Sequence, residues 1–88
     1  MLYTFAKAQY DQQFLTAVLE NITEQDVIVL WQDGVLQAVK NPQIFATLPQ
    51  VFALQNDVNA RAISIQTPQI SLARFVELTT HSYPQVAL

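Results

Sequence analysis

The chain has 88 residues, no cysteine and seven acidic side chains against four basic ones, for a net charge of −3. The lack of cysteine excludes disulfides, thiolate nucleophiles and cysteine metal sites, and the scattered Lys7, Lys40, Arg61 and Arg74 argue against holding a nucleic acid unaided. Only 12% of residues are charged while 51% are apolar, and that excess of apolar surface on so small a domain favours an oligomer.

The opening MLYTF is rich in strand-forming residues and reads as the first strand. MLYTFAKAQYDQQ has no basic region leading into an apolar stretch, so no signal peptide is expected and the chain is placed in the cytoplasm. The longest apolar run, residues 27–31, has five residues, far short of the roughly 20 that cross a bilayer. Asp11 then caps a helix whose Phe14, Leu15, Val18, Leu19 and Ile22 recur at three- and four-residue spacing. In DVIVLW the run after Asp26 is continuously apolar and of strand length, the mark of a central parallel strand buried on both faces.

After Gly34, the residues Val35, Leu36 and Val39 predict a short second helix that stops near Asn41-Pro42. PQIFATLP restarts as one more turn, with Asn41 as cap and Pro42 in the first helical position. Residues 50–55, QVFALQ, form the third strand, and NDVNARA a turn or short helix. Ile63 and Ile65 alternate like a strand, but so do Ile70 and Leu72. Leu72, Phe75, Val76 and Thr79 give a closing helical face before a polar tail, THSYPQVAL. Strand and helix alternate throughout, which predicts a single domain over residues 1–88, a small α/β sandwich of three layers with a mainly parallel sheet of about four strands.

In such sheets ligands sit beyond the carboxyl ends of the strands. Gln32-Asp33-Gly34 and Gln55-Asn56-Asp57 fall there, with Arg61 one turn on. Asp33, Asp57 and Arg61 together suit a cation or a small substrate, as in a small α/β enzyme or ligand-binding protein. The same carboxylates also suit helix starts, where they accept backbone N–H bonds and face the positive end of the helix dipole, with Arg61 as ion-pair partner or interface residue. Gly34 alone makes no phosphate loop, since a dinucleotide fingerprint needs three glycines. The lone His81 has no second histidine with which to hold a metal, and its place after the last helix suits a C-terminal cation. No serine or threonine sits in a G-x-S-x-G elbow. Trp31 and Phe75 read as core or interface, and no cofactor or metal is expected.

DVIVLWQDGVLQAV, followed by VFALQNDVNARAI and the closing Phe75-Val76-Glu77-Leu78-Thr79, resembles the TusB/DsrH family of sulfur-relay subunits, in the DsrE/F/H-like superfamily. Members share a strand ending in Gln-Asp/Asn-Gly-Val and a later Ala-Arg-Gly. Two departures stand out. Ala60-Arg61-Ala62 replaces Ala-Arg-Gly, so a turn that favours glycine is expected to close differently, and Leu88 stands where members often carry a final Trp. The resemblance favours residues 69–72 as the fourth strand, with Ile63-Ser64-Ile65 closer to a loop. It implies a non-catalytic structural subunit of a heteromeric sulfurtransferase complex for 2-thiolation of the tRNA wobble uridine. The partners it implies are homologous TusC-like and TusD-like subunits in a dimer of heterotrimers, with the persulfide cysteine on the TusD-like one. Without them the chain is expected to self-associate. Asp33, Gly34, Asp57 and Arg61 are then expected at a subunit interface or at helix starts.

Overall fold

The computed structural model describes residues 1–81 and 84–88. Five strands form one sheet: β1 (Leu2–Phe5), β2 (Val27–Leu30), β3 (Val51–Leu54), β4 (Gln69–Ile70) and β5 (Gln85–Ala87). Their order is β4-β3-β2-β1-β5, and every neighbouring pair is parallel. The helices are α1 (Gln12–Glu20), α2 (Gln37–Lys40), α3 (Pro42–Ala46), α4 (Gln55–Ala60) and α5 (Leu72–His81), and a 3-10 turn, Gln32–Leu36, runs into α2. The expected α/β class and parallel sheet are what the structure shows.

The order of the strands dictates where the helices go. From β1 to β4 the chain always steps the same way across the sheet, and crossovers between parallel strands have one hand. The connections carrying α1 to α4 must therefore share a face. Leu15, Ala38, Phe45 and Val58, one from each of these helices, are buried together against Tyr3, Phe5, Ile28, Leu30, Val51 and Ala53. The return from β4 to β5 runs the opposite way, which puts α5 on the other face. There Phe75 packs with Leu2, Val29 and Leu54, flanked by Val27, Trp31, Ile70 and Leu78. Successive strand residues point to opposite faces, so β1 and β2 feed both layers and are almost wholly buried.

Local chemistry sets the element ends. The Asp11 carboxylate accepts the Phe14 N–H at 3.0 Å and starts α1. Asn41 precedes Pro42 at the start of α3, as the sequence predicts, but its side chain makes no cap bond and donates to Gln37 Oε1 at 2.8 Å. Gln37 is itself buried, and its Nε2 donates to the Ala8 carbonyl at 2.6 Å, tying α2 to the loop after β1.

Three expectations need correcting. The tail is not merely polar: residues 85–87 pair with Leu2, Tyr3 and Thr4 of β1, giving a fifth strand; Ser82 and Tyr83 of that tail lie outside the described residues. Backbone pairing, which side-chain patterning does not register, holds this strand, with Tyr10 donating its hydroxyl to the Leu88 carbonyl at 2.9 Å. The fourth strand stops at Ile70, because the Ser71 hydroxyl accepts the Arg74 N–H at 3.1 Å and Leu72 already opens α5. Finally, Phe75 is buried but Val76 is 54% exposed, since one helix step carries it around to the flank of α5.

Asp26 anchors the entry to β2. Its carboxylate accepts the Thr23 N–H at 2.8 Å and the Thr23 hydroxyl at 3.2 Å, and pairs with the Met1 ammonium at 3.1 Å. The Thr23 backbone bond holds its pKa below the ordinary value, against the opposing effect of burial; the bond to the ammonium and its charge, and the Thr23 hydroxyl, add to the lowering. A carboxyl whose folded pKa is depressed contributes stability above its unfolded pKa and loses it as pH falls through the folded one. Denaturant titrations from pH 7 downward are expected to show stability falling below about pH 4, and Asp26→Asn is expected to remove part of that fall. Melting experiments are expected to separate two neighbours on α5: Phe75→Ala costs about 3–5 kcal/mol as a buried aromatic, whereas Val76→Ala stays within about 0.5 kcal/mol.

Candidate functional site: the clamp at the strand carboxyl ends

Asp33, Asp57 and Arg61 come together. The Arg61 guanidinium donates to Asp33 Oδ1 through Nη2 at 2.8 Å and Nε at 3.2 Å, and lies 3.5 Å from Asp57 Oδ1. Its Nη1 also donates to the Asp57 carbonyl at 3.1 Å. The other Asp57 oxygen accepts the Gln32 N–H at 2.6 Å. Arg61 thus joins the turn after β2 to the helix after β3, with both carboxylates turned to partners inside the chain.

Neither acid caps its helix. The 3-10 turn starts from Trp31 and α4 from Leu54, and neither start carries a side-chain cap bond. Asp33 and Asp57 lie further in, within the first turns, where a negative charge still suits the dipole. What Asp57 holds is the neighbouring turn. Gln32 has φ of 52°, a left-handed conformation that costs a side-chain-bearing residue roughly 1–2 kcal/mol. The bond from Asp57 offsets this by fixing the Gln32 N–H. The sequence placed Gln32 in the cluster but did not reveal its left-handed backbone, which nothing in its neighbourhood marks other than the adjacent Asp33-Gly34.

Gly34 owes its place to close approach. A Cβ added there would lie 1.7 Å from the Phe5 carbonyl oxygen and 2.5 Å from its carbon. That carbonyl also accepts the Trp31 N–H at 3.1 Å, so the turn is drawn tightly over the end of β1. Since the clash is with backbone, no rotamer change relieves it.

Ala62 takes the position at which the resemblance implies a glycine. It has φ of 50°, and its N–H donates to the Asn59 carbonyl at 3.1 Å. The turn closes in the left-handed conformation after all, with alanine bearing the strain.

The cluster bridges β2 and β3, whose following segments both go to the same face. Strands that send their connections to opposite faces are β3 and β4, and it is between those that an α/β sheet opens a crevice. His81 ends α5 and is exposed, and among the described residues no group of three His, Asp or Glu converges. Trp31 packs edge-on against Phe75 with ring centroids 5.4 Å apart, under α5.

Comparison with known proteins agrees with this architecture. Residues 7–85 match the family described as "DsrH like protein". The chain belongs to the DsrH family. An uncharacterized protein of Haemophilus influenzae is 39% identical to this DsrH-family chain over the whole of both. Protein TusB of Yersinia pestis is 37% identical over 99% of both. The solution structure of Tm0979 from Thermotoga maritima superposes with a TM-score of 0.63 at 26% identity, covering 91% of this chain and 92% of that one.

The geometry separates the two aspartates of this DsrH-family clamp. Asp57→Ala is expected to cost about 1.5–3 kcal/mol, since a carboxylate bond to a strained turn is lost. Asp33, with a side chain 61% exposed, contributes about 0–1 kcal/mol by the same chemical denaturation. Ala62→Gly is expected to raise stability by about 0.5–1 kcal/mol, the relieved strain exceeding the entropy glycine adds to the unfolded chain.

Proposed function

We propose that this chain is a non-catalytic, structural subunit of a cytoplasmic sulfur-relay complex acting in 2-thiolation of the tRNA wobble uridine. Its partners in this reading are homologous TusC-like and TusD-like subunits, assembled as a dimer of heterotrimers, and the single domain serves to build that assembly. Full-length similarity to proteins called TusB, in a chain with no cysteine, is the observation that carries the proposal.

Sulfur relay requires a thiolate. It attacks the terminal sulfur of a donor persulfide, the donor S–S bond breaks, and the donor leaves as its own thiolate. No other side chain takes that part, so the sulfur-bearing residue must come from a partner. The clamp supports the same division of labour. Asp33, Asp57 and Arg61 spend their charges on one another and on the Gln32 turn, which suits a rigid surface better than a substrate site. The alternative use of those three residues, by a small enzyme or ligand-binding protein, predicts a ligand that protects the isolated chain against melting and loses that effect in Arg61→Ala.

The decisive experiment is transfer of radiolabelled sulfur from a persulfide donor, followed by non-reducing separation of the subunits. The isolated chain is expected to take up no label, and the reconstituted complex to carry it on a cysteine-bearing partner. Stable label on this chain overturns the reading.

A further inference from the structure

Residues 63–67 form no strand, although their burial alternates: Ile63, Ile65 and Thr67 are half-buried, and Ser64 and Gln66 exposed. That is the two-residue period of a strand laid along the core. At one end the Ile63 N–H donates to the Val58 carbonyl, and just past the other the Pro68 carbonyl accepts the Ala53 N–H at 2.9 Å. Between these points, no backbone or side-chain group of residues 64–67 bonds to any other described residue. Successive residues of an extended chain turn their N–H and C=O groups to opposite sides, so a strand laid along the edge that leads into β4 reaches about two of the four residues.

Beside this edge lies an open cleft of about 690 Å³, with Val39, Pro42 and Phe45 on one wall and Ile65, Gln66 and Thr67 on the other. No charged side chain lines it. Val39 is 49% exposed there. A charge brought into such a cleft finds no counter-charge and loses hydration, so the lining selects an uncharged occupant.

We propose that residues 63–67 are a docking edge that takes an extended, uncharged strand from a partner subunit by β-strand addition. A strand supplies what the edge lacks, main-chain donors and acceptors in register, while its alternate side chains enter the cleft. A helix, whose backbone groups are already paired within itself, offers the edge nothing. The inference rests on the reading of the chain as an assembly subunit and names where one partner seats.

The test uses the full chain, alone and in complex with co-expressed TusC-like and TusD-like subunits, with amide hydrogen exchange as readout. In the complex, at least one amide among residues 64–67 is expected to exchange ~10-fold more slowly or better. Val39→Asp, an exposed substitution that leaves the fold intact by its melting curve, is expected to weaken the complex at least ~10-fold by placing an unpaired charge in the cleft. A complex that forms with unchanged exchange at all four amides overturns the docking edge and leaves the subunit reading standing, and so does Val39→Asp binding as tightly as the parent. Failure of the unaltered chain to join these subunits overturns both.

Discussion

One-directional addition of strands governs this molecule. Because β1 to β4 are laid down side by side in sequence order, their crossovers all fall on one face, and only the long return to β5 crosses the other. Four helices and a 3-10 turn bury one layer, while α5 alone covers the second. The unequal layers follow from topology and not from any local preference of the sequence. They explain why Leu72 and Val76 on α5 remain exposed, at 52% and 54%, in a chain whose strands are so thoroughly buried.

The same topology requires a tight passage at the end of β2. The chain must leave the sheet beside Phe5, turn through Gln32 and pass Gly34 directly over a backbone carbonyl. Close approach and left-handed backbone are both costly, and Asp57 and Arg61 lie where they hold the passage in place. A polar cluster at strand carboxyl ends thus has a sufficient structural reason here, which is why a pair of acids and an arginine is weak evidence for chemistry. The absent thiol, by contrast, means that no cysteine of this chain can hold a persulfide.

Much of this was legible in the residues. The apolar run at residues 27–30 and the spacing of Leu15 and Val18 determine a buried strand and an amphipathic helix with little competition from other structures. The pairing of residues 85–87 was not legible, because an edge strand of exposed and half-buried residues carries no strong periodicity and owes its place to β1, far away in the sequence. Asp33 and Asp57 were found in the first turns of their helices with Arg61 as ion-pair partner, but the grip of Asp57 on Gln32 was not: a helix-start acid and an acid that also holds a neighbouring turn have the same local sequence, and only the fold brings Gln32 within reach. The alternation of Ile63 and Ile65 was visible as well, and it describes a segment with the side-chain pattern of a strand and no ladder.

The pairing of β5 with β1 also bears on how the chain acquires its structure. Leu2 meets Gln85 and Thr4 meets Ala87, so this ladder joins the first and last strands of the fold. Contacts of such sequence separation slow folding, since a long loop must close before they repay its entropy. During synthesis β1 and β2 can pair early, yet the outer edge of β1 stays open until residues 85–87 leave the ribosome. For that interval a nearly all-apolar strand, LYTF, presents unpaired backbone to its surroundings, a state prone to aggregation. In the folded chain Tyr10, which receives the Ala6 and Lys7 N–H groups and donates to Leu88, ties the end of β1 to the end of β5.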